Sequence, residues 1–239
     1  MIERQAVTSS IFDVLVPIHR DGHKFIAGAA AATLLLLFVL DWPMLGWLAL
    51  VATAWVAFFF RDPDRVTPLR DGLVVAPADG RIVAIEKVRP PQELGYGEPA
   101  RTRISIHLSI FDVHINRSPI AGRVVRSVYV PGAFYNSTFD KASEDNERRA
   151  LIIVGADGAE IGVVQIAGLV SRRIVTFAGE GDMLTTGQRF GLIRFGSRVD
   201  VYLPVGKTPL AAVGQRTIAG ETVLADFTSA ETEREVRRS

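Results

Sequence analysis

The stretch "TRISIHLSI", residues 102–110, decides the fold class. Ile104, Ile106, Leu108 and Ile110 alternate with Arg103, Ser105, His107 and Ser109. Successive side chains of a strand face opposite ways, so this two-residue period describes a strand with one face in a core. Similar runs lie on either side of it. "GRIVAIEKV" (80–88) precedes it, and "RVVRSVYV" (123–130), "ALIIV" (150–154) and "EIGVVQIAG" (160–168) follow. Beyond them come "RRIVTF" (172–177), "LIRF" (192–195), "VDVYLP" (199–204) and "ETVLADF" (221–227). Asp71-Gly72 and Ala156-Asp157-Gly158 read as turns. Only residues 138–150 carry a helical pattern, and a weak one. Residues 63–239 are therefore predicted to form one mainly antiparallel β domain, a barrel or sandwich. The tail "ETEREVRRS" alternates charges and reads as a solvated end.

Residues 1–62 are of another kind. From Phe25 to Phe60 the only charge is Asp41, and Trp42, Trp47 and Trp55 all fall in this block. Asp41-Trp42-Pro43 divides it into two apolar runs, each slightly short of the roughly 20 residues that a helix needs to cross a bilayer. Lys24 closes one end and Arg61 the other, with Arg20 and Arg65 nearby. A helical hairpin with both basic ends together would hold them in the cytoplasm by the positive-inside tendency. A soluble core helix normally keeps one polar face, which these runs lack, so a membrane-anchoring segment is the expected reading. Pro63 and Pro68 mark the linker to the β domain.

Composition narrows the chemistry. The 239 residues carry a net charge of +1, which gives no ground for a nucleic-acid partner. There is no cysteine, so disulfides, thiolate nucleophiles and thiolate metal sites all fall away. His19, His23, His107 and His114 match no common metal-ligand spacing, and no metal site is expected.

One joint then stands out. In "GLIRFGSRVDVYLP" (191–204) two strand-like runs meet at Gly196-Ser197 with almost no loop between them. A serine in such a place is ordinarily a turn residue. "APADGRIV" sets Asp79 at the mouth of a strand, and "IFDVHINRSP" sets Asp112, His114, Asn116 and Arg117 beyond another. A fold that brought Asp79, His114 and Ser197 together would hold a nucleophile, a base and a group that orients the base. Taken singly, each residue is as well explained by a turn or a strand end.

Taken in series, "FFFRDPDR", "APADGRIV", "FDVHINRSP", "NSTFDKASEDNER", "IAGLVSRRIV" and "GQRFGLIRFGSRVDVYLP", behind the apolar hairpin, resemble the phosphatidylserine decarboxylase proenzymes. The resemblance is in particular to their short bacterial form, in the same order from about residue 15 to the end. The resemblance implies that the protein cuts its own Gly196–Ser197 bond. Ser197 Oγ attacks the Gly196 carbonyl, the acyl group shifts from nitrogen to oxygen, and elimination followed by loss of ammonia leaves a pyruvoyl group at position 197. Glycine suits the attacked position, since it tolerates bent geometry and presents no side chain. The pyruvoyl carbonyl would take up the electrons released with carbon dioxide, the task that pyridoxal phosphate performs elsewhere. Neither pyridoxal phosphate nor a metal is then required.

The same resemblance implies the roles. Ser197 is the cleavage nucleophile and pyruvoyl precursor, Gly196 the cleavage site, Asp79 the aspartate that orients or activates the base, and His114 the proton carrier. Long bacterial forms have a second histidine where this chain has Arg117, which becomes a candidate for binding the lipid phosphate or the substrate carboxylate. His107 competes for the part of base or substrate contact. Asn146, Glu147 and Arg148 match the "NER" motif without an implied role beyond structure. The implied reaction is conversion of phosphatidylserine to phosphatidylethanolamine and carbon dioxide at the inner membrane, with the catalytic domain on the cytoplasmic side. Its large and small chains would stay together as a heterodimer, held by hydrogen bonds between the two strands at the joint. Arg20, Arg61 and Arg65 would face lipid head groups, with "IFDVLVPI" (11–18) along the surface. A homo-oligomer is compatible with the sequence. An archaetidylserine-type ether-lipid decarboxylase is the alternative within the same chemistry. A non-catalytic membrane-anchored carrier or hybrid-barrel module is the alternative of another class.

Overall fold

Leu40 ends one apolar helix, and Asp41 takes the left-handed conformation at a φ of 48°. Pro43 then opens the next helix, where a missing N–H costs nothing. The computed structural model describes residues 16–97, 99–132, 146–168, 173–194, 197–229 and 231, with the backbone alone at Ser197. One compact unit ends at Asp64 and a second begins at Arg65.

The first unit is a helical hairpin. Helix α1 (Arg20–Leu34) runs on through a π-helical turn, Leu35–Val39, and α2 (Pro43–Phe59) returns. The His19 side chain caps α1 by accepting from the Asp21 N–H at 3.3 Å. The helices lie antiparallel: Thr33 and Thr53 hydroxyls meet at 3.1 Å, and the rings of Phe25 and Phe60 stack with centroids 5.4 Å apart. Gly22 lets them close, since a Cβ there would stand 2.5 Å from Phe60 Cβ. Arg20–Val39 makes a 20-residue helix apolar enough to cross a membrane, while α2 is shorter. Met44 is 81% exposed and Phe38 78%, so the apolar surface of the hairpin turns outward.

The second unit is built of strands. They are β1 (Leu73–Val75), β2 (Gly80–Val88), β3 (Arg101–Leu108), β4 (Ile115–Arg117), β5 (Gly122–Val130), β6 (Arg148–Val154) and β7 (Glu160–Ala167). After these come β8 (Ile174–Thr176), β9 (Met183–Leu184), β10 (Arg189–Ile193), β11 (Ser197–Tyr202), β12 (Arg216–Thr217) and β13 (Val223–Asp226). Eight form one antiparallel sheet in the order β12-β2-β3-β11-β7-β6-β5-β9. A three-stranded sheet, β4-β10-β8, and the pair β1-β13 complete the domain. The main core includes Ile104, Ile106, Val163, Val199 and Val201 from the large sheet and Phe190 from the small one. The other face of the large sheet carries a smaller apolar cluster around Leu94, Ile152, Ile166 and Tyr202.

The antiparallel β domain and the helical hairpin stand as the sequence predicted, and so do both turns, with Gly72 and Gly158 at φ of 80° and 79°. Two expectations need correction. Within the predicted helix 138–150, Arg148–Ala150 open strand β6, while 138–145 lie outside the described residues. Pairing with β5 on one side and β7 on the other overrides the local composition. The runs at the Gly196-Ser197 joint are not bonded to each other: β10 belongs to the small sheet, and β11 lies between β3 and β7 in the large one.

Candidate functional site

Asp79 ends the loop that leads into β2. At Gly80 the φ is 155°, and a Cβ would stand 2.2 Å from the carbonyl oxygen of His107. Only glycine lets β2 begin so close against β3. One oxygen of Asp79 accepts from Arg65 Nη2 at 2.8 Å, and the other from the backbone N–H of Ala219 at 2.8 Å. Asp79 thus ties together the entry to the domain, the head of β2 and the loop after β12. Neither oxygen bonds a histidine. Arg65, expected at lipid head groups, is instead the partner of this carboxylate, with its side chain only 12% exposed.

His114 is wholly buried at the entry to β4. Its Nδ1 lies 2.9 Å from the carbonyl oxygen of Asp112. A carbonyl only accepts, so Nδ1 carries the hydrogen and the basic lone pair belongs to Nε2. The N–H of Ile193, the last residue of β10, donates to the His114 carbonyl at 3.1 Å. His114 therefore stands beside the strand end that leads, four positions later, to Ser197.

Asn116, two residues on, reaches across to the large sheet. Gln165 Nε2 of β7 donates to its Oδ1 at 2.7 Å, and Asn116 Nδ2 donates to the carbonyl of Pro77 at 3.4 Å. Gly191 of β10 leaves the room: a Cβ there would stand 2.8 Å from Gln165 Nε2. Both amides are wholly buried. Arg117 is buried as well, donating through Nη1 to the Gly187 carbonyl at 3.1 Å.

Ser197 heads β11 opposite Leu108 of β3 and Ala167 of β7, both wholly buried. Val199, two residues on, stands opposite Ile106 and Gln165. Position 197 is thus one step along the same face from Gln165. Gly196 lies outside the described residues. His107 occupies the alternate row, opposite Arg198 and Arg81. Burial holds its imidazole below the ordinary histidine range, with Asp112 pulling the other way and Arg198 reinforcing the shift.

The "NER" motif has a place in this geometry. Asn146 Nδ2 donates to the carbonyl of Ala167 at 2.7 Å, and the Ala167 N–H donates to the Glu147 carbonyl at 2.9 Å. Glu147 Oε1 accepts from the N–H of Ile174 at 3.0 Å, which ties β8 to the same corner. Asn146 and Glu147 therefore fix the strand end that lies beside position 197. Gln165 escaped the sequence reading, although it is the one amide inside the otherwise apolar run "VVQIA". Asn116 was visible there only as part of a motif.

The joint between the small and large sheets is thus lined by the wholly buried side chains of His114, Asn116 and Gln165. The profile of the phosphatidylserine decarboxylase family matches residues 52–225. The chain is 57% identical over 213 residues to a phosphatidylserine decarboxylase proenzyme of Ruegeria pomeroyi, covering 89% of this chain and 96% of the relative. A phosphatidylserine decarboxylase proenzyme of Nitrobacter winogradskyi is 58% identical over 211 residues, 88% of this chain and 85% of the relative. The chain belongs to the phosphatidylserine decarboxylase family.

Proposed function

We propose that this chain is a proenzyme that cuts itself between Gly196 and Ser197 and then decarboxylates phosphatidylserine to phosphatidylethanolamine. Family membership supports the reaction, and the placing of Ser197 at the start of β11, at a crossing between two sheets, supports the site of cleavage. The residues around position 197 suit a pyruvoyl group. Leu108 and Ala167 on either side of it are buried, and an amide oxygen of Gln165 lies buried one step along the same face without a donor among the described residues. When present, that group supplies a carbonyl that binds the substrate amine and accepts the electron pair released with carbon dioxide.

The chain's own residues do the rest. In the precursor, His114 takes the proton of the Ser197 hydroxyl through Nε2, its ring held by the Asp112 carbonyl. Asp79 acts by holding Arg65 and the Ala219 loop in place, since both its oxygens are engaged there. Leu108 and Ala167 keep water from the row of position 197. Arg117 supports the loop at Gly187 by donating to its carbonyl.

Cleavage would leave residues 197–239 as the small chain. That chain is held by β11 between β3 and β7, by β12 on β2 and by β13 on β1. The two chains would therefore remain one particle until denatured. The helical hairpin would hold the enzyme at the inner membrane: Arg20, Lys24 and Arg61 cluster at its open end, where Ile18 and Arg61 form a bridge. Basic residues at that end would favour the cytoplasmic side by the positive-inside tendency. Intact mass after denaturation tests the reading. Two fragments are expected, the smaller beginning with a pyruvoyl group; one uncut chain that still turns over phosphatidylserine would overturn it.

A further inference from the structure

The buried amide pair between the two sheets has a fixed polarity. The Pro77 carbonyl can only accept, so the Asn116 group facing it is Nδ2, and its Oδ1 turns to Gln165. Oδ1 also only accepts, so Gln165 presents Nε2 to it at 2.7 Å. Gln165 Oε1 is left as the end of the chain. It is wholly buried and meets no donor among the described residues. An acceptor stranded in this way costs about 1–3 kcal/mol unless something supplies a hydrogen.

Position decides what that something is. Gln165 stands opposite Val199, one step along the same face from position 197. Diagonal neighbours of this kind have Cα atoms roughly 7–8 Å apart, within reach of a long side chain or of a small group lying between them. We propose that Gln165 Oε1 accepts a hydrogen bond from the amino group of the substrate and so presents the amine to the reacting centre at position 197. The inference rests on the decarboxylase reading above. Of the polar groups on a phosphatidylserine head, the carboxylate and the phosphodiester only accept at neutral pH, and the ammonium alone donates. The neutral amide neither titrates nor competes for the proton, so it positions the amine without deprotonating it. Asn116 and Pro77 act behind it by fixing which end of the amide carries the unpaired oxygen.

The test uses the full-length protein, purified in detergent and reduced with borohydride. Reduction turns a ketone at position 197 into an alcohol, so a bound amine forms no covalent adduct and only the pocket is read. The affinities of phosphoethanolamine and of ethyl phosphate, which lacks the amine, are compared by calorimetry. The native pocket is expected to favour phosphoethanolamine by about tenfold, the scale of a hydrogen bond to a charged donor. Gln165→Met should abolish the preference, and Gln165→Glu, which keeps an acceptor, should retain it. Equal affinities in the native protein overturn the proposal whether or not the variants fold, and so does an undiminished preference in Gln165→Met or its loss in Gln165→Glu. The decarboxylase reading fails separately, when the small fragment does not gain two hydrogens on reduction.

Discussion

Asn146 donates its side-chain N–H to the carbonyl of Ala167 at 2.7 Å, and Ala167 stands opposite Ser197 across the ladder of β7 and β11. A motif some fifty residues upstream thus secures the strand end opposite position 197, where self-cleavage is proposed. Asn146→Ala would leave a buried carbonyl without that donor, at a cost of about 1–3 kcal/mol, and would loosen the corner. Precursor should accumulate: denaturing gels of a pulse-labelled Asn146→Ala chain are expected to show cleavage slowed at least several-fold. Asn146→Asp should behave alike, because a carboxylate cannot donate. Cleavage at the native rate in both variants would mean that the corner does not matter to processing.

The Arg65–Asp79 pair gives a second expectation. Both side chains are nearly buried, and removing one partner of such a pair strands the other's charge, typically at about 3–5 kcal/mol. Arg65→Ala and Asp79→Asn should each lower the melting temperature and slow self-cleavage. The double variant should be less impaired than the two effects summed, because a single pair is broken in all three. Additive losses in a double-mutant cycle would separate the two residues.

Period-two alternation made the β domain legible, because it reports directly which strand face meets a core. The hairpin was legible for a similar reason, since no charged side chain interrupts the runs from Phe25 to Leu40 and from Trp42 to Phe60. What the sequence hid was partnership across the fold. Arg65 looks like any juxtamembrane arginine until the loop bearing Asp79 packs against it. Residues 138–150 are locally helix-tolerant, and it takes β5 and β7 on either side to draw Arg148–Ala150 into a strand. The pairing of Gln165 with Asn116 spans 49 positions and two sheets, and no local pattern encodes it. Register likewise sets His107 and Leu108 on opposite faces, a distinction that leaves only Leu108 in the row of Ser197.

The outward apolar surface of the hairpin leads to a third expectation. Trp47 is 63% exposed, in company with Phe38 and Met44, so water would meet a large apolar area on a free particle. Deleting residues 1–62 removes that area and leaves Arg65, with which the second unit begins. The truncated chain should still cut itself, because every contact described around Ser197 lies beyond residue 64. Turnover of phosphatidylserine in vesicles should drop at least tenfold, with short-chain substrate in detergent far less affected. Equal turnover of vesicle substrate by the two forms would count against anchoring.

Acid should weaken the β domain through His107. Burial lowers the pKa of its imidazole in the folded state, with Asp112 opposing and Arg198 reinforcing, so the folded protein favours the neutral ring. In the unfolded chain the ring titrates near its ordinary value of about 6.5. Below that pH the unfolded state binds more protons than the folded state does, and stability must fall as the pH falls. Once the pH passes below the depressed folded value, both states are protonated and this contribution levels off. Above about pH 7 both rings are neutral, and His107 adds no slope. Thermal melts between pH 7.5 and 5 should therefore show a decline that starts near 6.5. His107→Gln, which cannot charge, should remove part of that slope while leaving the melting temperature at pH 7.5 nearly unchanged. A variant whose profile tracks the native one throughout would place the acid sensitivity in other groups.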